Sequence, residues 1–439
     1  MNRHHCHNIC HPRKLRGTST NRYILGRLPA PCANLVTLYS NEELEVDYKL
    51  SARVRAIKPS PTIAVTNRAA ELKAAGEDVI GLGAGEPDFD TPEFIKDAAR
   101  KALADGMTKY TAPDGTPSLK DAIIEKFRRD NQLEFQRSNI VVSCGAKHTV
   151  YNLMQAIIDE GDEVIVAAPY WVSYTDMAIL AGGCPVVIDT TIDAGFKMKP
   201  EQLAAVITPN SRLLVLNSPS NPTGGCYTRA ELRGLADVIK QHPQLLVCAD
   251  DIYEHISWGE EPFCSIATAC PDIAEQIIVV NGISKVYSMT GWRIGYAAAP
   301  DPIAAAMRKM QSQSTSNPTS IAQYAAEAAL LGDQSCVTDM VKVFKERHDY
   351  VVQRLNAMPG VRCLESQGAF YAFPDVSEAI ARLGMENDMA FCEWLLENTG
   401  VAVVPGSAFG CEGALRLSYA TSMEQLEDAL NRMQHALGN

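Results

Sequence analysis

From Asp78 onward, short apolar runs rich in β-branched residues alternate with stretches of helical texture, and this alternation limits the possible folds more than any other property of the chain. Candidate strands lie at residues 140–143, 163–167, 185–188, 213–216, 245–249, 277–280 and 294–297, with helices such as 118–130, 147–158 and 229–241 between them. A parallel strand covered on both faces reads as an unbroken hydrophobic run, as in Ile277-Ile278-Val279-Val280. The pattern predicts an α/β fold with a mostly parallel sheet between helices. After Ile321 a long helical region runs through Arg354, and strand signals follow at 361–364, 369–373, 401–404 and 415–418. That shift predicts a smaller α+β unit at the carboxyl end.

Net charge of −12 removes the electrostatic footprint of a nucleic-acid binder. With no apolar run of about 18 residues, a membrane span is not expected either. The 13 cysteines are odd in number and form no C-x-x-C pair, so neither a disulfide framework nor a zinc site is indicated, and a reducing compartment is expected. Residues 1–40 carry six lysines and arginines and no acid, with His4, His5, Cys6, His7, Cys10 and His11 crowded at the start. A cytoplasmic protein with an unstructured leader is expected; a plastid transit peptide is the alternative.

Chemistry-bearing residues gather at the ends of the predicted strands. Ser284-Lys285 follows the run 277–280, and Arg293 follows eight residues later. An amine at a strand's carboxyl end can lose its proton by desolvation and form a Schiff base with an aldehyde, while an arginine fork suits phosphate. A solvated loop lysine beside a structural arginine would show the same residues. Asp250, after the strand 245–249, suits the protonated nitrogen of a pyridine ring, with Tyr253 in reach of a ring oxygen; a helix N-cap or a metal ligand is the rival reading. In Asn217-Ser218-Pro219-Ser220-Asn221-Pro222-Thr223-Gly224 the Asn221 amide is free to donate to a ligand, unless this is an ordinary Asn-Pro turn. The turn Ser143-Cys144-Gly145-Ala146-Lys147 opens a helix and offers an anion site. Arg416, inside an apolar strand, requires a carboxylate or phosphate partner, from a substrate or from an internal salt bridge. Gly81-Leu82-Gly83-Ala84-Gly85-Glu86 lacks the last glycine and the β-α-β setting of a dinucleotide fingerprint, so NAD is not expected.

In order and spacing, Asn221, Asp250, Tyr253, Ser284-Lys285, Arg293 and Arg416 resemble the class I and II aminotransferases of pyridoxal-phosphate fold type I, over about residues 50 to 435. Lys58-Pro59-Ser60-Pro61-Thr62, Gly85-Glu86-Pro87-Asp88-Phe89-Asp90-Thr91-Pro92 and Ala168-Pro169-Tyr170-Trp171-Val172-Ser173-Tyr174 are similar to the aspartate aminotransferase subgroup Iβ, some of whose members also convert prephenate to arogenate. The resemblance implies a large domain with a mostly parallel seven-stranded sheet and a smaller α+β domain. Its implied boundaries are a leader at 1–46, an arm and part of the small domain at 47–90, the large domain at 91–325 and the small domain at 326–439. It implies pyridoxal 5′-phosphate as cofactor and no metal. Lys285 would be Schiff-base lysine and acid/base. Asp250 would hold the pyridinium, Asn221 and Tyr253 the ring oxygen, and Trp171 would stack on the ring. Ser284, Arg293 and the Gly145-Ala146-Lys147 turn would bind phosphate, with Tyr110 arriving from a partner subunit of a homodimer.

For the substrates, amino acids and 2-oxo acids, the resemblance implies Arg416, Gly85 and Asn221 at the α-carboxylate and Lys147 at the acidic side chain. Lys58, Thr62 and Lys147 match members competent on prephenate. Asp251 departs from the glutamate of most relatives. The implied reaction is aspartate:2-oxoglutarate transamination, with prephenate a further acceptor. Aromatic or alanine transaminases and β-lyases share the fold; a cofactor-binding sensor domain would require a DNA-binding segment that residues 1–47 are too short to supply.

Overall fold

The computed structural model describes residues 48–59 and 61–438; the leader expected at 1–46 lies outside the described residues. Twelve strands follow in chain order: β1 (Ile80–Gly81), β2 (Ile140–Ser143), β3 (Glu163–Ala168), β4 (Cys184–Asp189), β5 (Ser211–Asn217), β6 (Leu246–Asp250), β7 (Ile277–Gly282), β8 (Gly295–Ala298), β9 (Tyr371–Ala372), β10 (Val401–Ala402), β11 (Val404–Pro405) and β12 (Leu415–Ser418). Seven form one sheet in the order β2-β8-β7-β6-β5-β3-β4. All neighbours run parallel except β8, which is antiparallel to both β2 and β7.

β7 shows why the sheet is sandwiched. Its side chains alternate across the sheet, so Ile277 and Val279 join one buried cluster and Ile278 and Val280 another. Helices supply the facing layers. Arg229–Ile239 buries Leu232, Leu235, Ala236 and Ile239 on one face, and Thr228 and Glu231 close its amino end in a reciprocal capping box. β5 lies on one side of β3 and β4 on the other, so the strand order reverses between β3 and β5, where open α/β sheets leave a crevice.

A second core surrounds the three-stranded sheet β11-β12-β9 and includes Phe344, Phe370, Tyr371, Leu415 and Leu417. Ile252, Tyr253 and Ile256, directly after β6, are packed into this second core. The carboxyl end of β6 is therefore where the two cores meet.

Two sequence expectations change. The helical region after Ile321 is two helices, Ser320–Leu331 and Ser335–Asn356. Gln334 breaks the run by donating its side-chain amide to the carbonyls of Ala329 and Gly332. Residues 361–364 form no strand beyond a single bridge between Arg362 and Asp375. The Asn356 amide occupies the backbone of Cys363 on both sides, accepting from its N–H at 2.8 Å and donating to its carbonyl at 2.9 Å, which leaves no ladder for that residue to join.

Candidate active site

Five strand ends and the start of β8 open on one cavity of about 400 Å³, lined by Lys285, Asp250, Tyr253, Asn221, Arg416 and Trp171 among others. Gly85, Ala146, Lys147, Ser284, Arg293 and Thr62 also reach it. The structure thus brings together residues spread over more than three hundred positions of sequence, because most follow or precede a strand of the large sheet, while Arg416 enters from β12 and Thr62 from the helix Pro61–Ala74.

Lys285 stands on the loop after β7, half-buried, and its Nζ donates to the Gly85 carbonyl at 2.5 Å. Burial pushes its ammonium down to about 8; Glu86 opposes that shift, while Arg293 and Arg416 add to it. At that value roughly a tenth is free amine at pH 7, far more than for an ordinary lysine. Asp250 ends β6. Burial raises its carboxyl to about 6, against the pull of a 2.6 Å hydrogen bond from the Tyr174 hydroxyl and a longer one from the Ile252 N–H. Among the described residues, one group could ligate a metal, Asp130 with Glu254 and His255, and it does not include Asp250.

Arg416 on β12 is 2 % exposed. Its guanidinium donates to the Asn221 side-chain oxygen at 3.0 Å and the Gly83 carbonyl at 2.6 Å, and it lies over the rings of Tyr371 and Phe409. Its buried Nε–H has no partner, and no carboxylate pairs with it among the described residues. The internal salt bridge left open by the sequence is absent there. A guanidinium buried among neutral acceptors only keeps its capacity to pair with an anion.

Arg293, Lys147 and the Gly145 turn form a second electropositive part of the cavity wall. Gly145 caps the helix Ala146–Ile157 with φ of +91°, and a Cβ there would sit 2.2 Å from an Arg293 nitrogen, so only glycine permits the arginine to lie across this turn. The N–H groups of Ala146 and Lys147 have no acceptor among the described residues, as expected at a helix start. Lys147 lies 4.9 Å from the centre of the Trp171 ring, and burial, then Arg293, pushes its ammonium below the usual value.

Two expected residues are elsewhere. Lys58 is exposed and stands beside Asp176, outside this cavity. Tyr110 is 91 % exposed and reaches nothing in its own cavity. Three site residues escaped the sequence reading. Tyr371 shares a 2.8 Å hydrogen bond with the Tyr253 hydroxyl. Asn217 accepts from the Asn221 N–H and donates to the Asp250 carbonyl, both at 2.8 Å, tying two site loops together. Tyr174 holds Asp250. Tyr174 and Asn217 stand inside the motifs at residues 168–174 and 217–224, but nothing in the residue types shows which acceptor each finds.

The family model for aminotransferase class I and II matches residues 77–433. The chain belongs to this family. Among curated proteins, this aminotransferase is 56 % identical over 395 residues to the aspartate/prephenate aminotransferase of Nitrosomonas europaea, covering 89 % of this chain and all of the relative. It is 50 % identical to the aspartate aminotransferase of Geobacillus stearothermophilus, over 88 % of this chain and 98 % of that one. The crystal structure of the aspartate aminotransferase from Rhizobium meliloti superposes with a TM-score of 0.86 at 45 % identity, covering 89 % and 99 % of the two chains. That of the Thermus thermophilus aspartate aminotransferase with maleate gives 0.83 at 44 %, covering 89 % and 100 %. No helix of the described residues is long and apolar enough to cross a membrane.

Proposed function

We propose that this aminotransferase binds pyridoxal 5′-phosphate and exchanges an amino group between L-aspartate and 2-oxoglutarate, and that prephenate is a further acceptor, giving L-arogenate. One observation carries the reading. Lys285, Asp250 and Arg416 face one cavity, each buried or half-buried, and none neutralises another by direct contact.

The donor set suits the cofactor at both ends. Arg293, Ser284 and the free N–H groups of the Gly145 turn suit a phosphate, and the buried Asp250 carboxyl suits a protonated ring nitrogen. When bound, the cofactor supplies an aldehyde that takes up amines and a ring that withdraws electrons from the carbon losing its proton. The protein's part is to bind, orient and move that proton. Arg416 grips the substrate's α-carboxylate through its planar fork and unpartnered Nε–H, while the Tyr371 and Phe409 rings hold the guanidinium itself in place. Lys285 Nζ, with its proton affinity lowered by burial, takes the proton from the substrate's Cα and returns one to the product. Lys147, beside Trp171, meets the second carboxylate of a dicarboxylic substrate.

Support for the substrate comes from relatives named for aspartate and prephenate, and from one solved with the dicarboxylate maleate. A homodimer completing each site with the partner's Tyr110 accords with that ring's exposure here. In the test, protein loaded with pyridoxal phosphate is given aspartate with 2-oxoglutarate or with prephenate. Oxaloacetate with glutamate, and arogenate, are the expected products, and Lys285→Ala should lower turnover by at least about 10³-fold. Unchanged turnover in that variant would overturn the mechanism. Given a cysteine conjugate alone, pyruvate released without any 2-oxo acid would place the enzyme with the β-lyases instead, and faster amino transfer from alanine or an aromatic amino acid than from aspartate would place it with the alanine or aromatic transaminases.

A further inference from the structure

Asp250 is 4 % exposed and receives few hydrogen bonds for a carboxylate so placed. The groups facing it are Tyr174 from the helix Ser173–Leu180, Lys285 from the loop after β7, and Cys248, Asp251 and Tyr253 from its own stretch of chain. Only one of these side chains donates to it. The Tyr174 hydroxyl lies 2.6 Å from Asp250 Oδ2, and the second donor is the Ile252 backbone N–H, at 3.3 Å from Oδ1. Lys285, the nearest cation, directs its ammonium to the Gly85 carbonyl.

Tyr174 is itself 2 % exposed, and its ring is locked. It meets the Trp171 ring edge-on at 5.2 Å and packs in the core with Met177, Ala178 and Val166. Burial, and then the Asp250 charge, push its phenol far above its ordinary value, so it remains a donor over the whole working range. A core tyrosine needs one acceptor, and backbone carbonyls are plentiful; this one takes the carboxylate that has no other side-chain donor.

Resting on the function proposed above, we propose that Tyr174 is a positioning residue that acts through Asp250. Its hydroxyl keeps the carboxylate charged and held in one orientation, so that the nitrogen of a bound pyridine ring retains its proton. A hydrogen bond to a charged group in a buried site is among the stronger ones, and no other side chain here can replace it.

The experiment measures binding of pyridoxal 5′-phosphate to cofactor-free protein by quenching of tryptophan fluorescence, between about pH 5.5 and pH 9. It compares the parent, Tyr174→Phe, Asp250→Asn and the double variant. At about pH 7, Tyr174→Phe should weaken binding about ten- to a hundredfold, and the deficit should grow as pH falls, because Asp250 without its donor takes up a proton at higher pH. In the Asp250→Asn background the same deletion should change binding by less than about twofold. Equal losses in both backgrounds would mean a structural role, and an unaltered pH profile in Tyr174→Phe would mean no role; either overturns the proposal. Thermal melting reports folding of each protein. Should Tyr174→Phe not fold, Tyr174→Gln, whose side-chain amide is a donor that does not titrate, takes its place and should preserve the parent's pH profile; a lost profile overturns the proposal. A parent that binds no pyridoxal phosphate is a distinct result, which removes the proposed function and this inference with it.

Discussion

Asp250 and Glu254 lie four residues apart on one stretch of chain, both at least 95 % buried, and they are held in opposite ways. Glu254 is saturated. One oxygen meets the Lys126 ammonium and the Asn281 amide, and the other accepts from Asn131, which in turn accepts from Lys126. His255 adds a further contact at 3.3 Å. Burial alone would raise this carboxyl, but Lys126 and its companions hold it below the ordinary range. Asp250 has one side-chain donor and one backbone N–H, and its carboxyl stays raised. The contrast separates a polar cluster that completes itself from one left incomplete. Unused hydrogen-bonding capacity in a buried place is costly to keep, and a cavity that binds charged ligands is where that cost has a function.

If Glu254 is structural, removing its cation should disturb the fold far more than removing the cavity lysine Lys285. Lys126→Met leaves a buried carboxylate without its counter-charge and should cost about 3–5 kcal/mol of stability in urea unfolding. Adding Glu254→Gln should recover part of that loss. Lys285→Met, in contrast, should leave cofactor-free stability within about 1 kcal/mol of the parent. Equal effects at the two lysines would collapse the distinction.

The second test concerns Asp250 itself, through pH. Its folded value of about 6 lies above the ordinary 3.8, so the folded protein holds a proton that the unfolded chain has released between those two values. The resulting stability is fully present below about pH 3.8 and is lost as pH rises through about 6. Asp250→Asn is neutral throughout. Cofactor-free Asp250→Asn should therefore exceed the parent by up to about 3 kcal/mol above pH 6, the gap closing towards pH 4. Parallel stability curves for the two proteins would show that Asp250 is not held at a cost.

Six strands of the large sheet were legible because burial along most of their length demands apolar runs, whereas the edge strand β4, with Cys184 and Val187 exposed, shows only as the short run Val186-Val187-Ile188. Residues at their carboxyl ends were legible for the same reason: once the strands are placed, Asn221, Asp250, Lys285 and the Gly145 turn must share one edge. What stayed hidden was pairwise. Tyr174, Asn217 and Tyr371 are ordinary residue types whose meaning lies in the partner each one meets, and Tyr371 meets Tyr253 across 118 positions of sequence. The absent strand at 361–364 failed for a related reason, since a side-chain amide from Asn356 took the place of a neighbouring strand. The roles that the resemblance implies for Lys58 and Tyr110 would require contacts that one chain's own cavity does not make.

Asp251 stands between the two clusters and offers the smallest and most discriminating change. It is 4 % exposed, and its Oδ2 has no hydrogen-bond partner. Burial pushes its carboxyl well up, and the charge of Glu254 pushes it further, while Ser265 and Lys126 only partly oppose this. Both influences favour the neutral acid at Asp251, beside a Glu254 that Lys126 holds charged. An asparagine has nearly the same shape and is equally neutral, so Asp251→Asn should alter stability by less than about 1 kcal/mol, with no dependence on pH between about 6 and 8. A gain that grows with pH, like that expected of Asp250→Asn, would mean that Asp251 is ionised and belongs with the incomplete cluster at the cavity. A flat and small response would place the division between the functional and structural clusters between two successive residues, at the peptide bond joining Asp250 to Asp251.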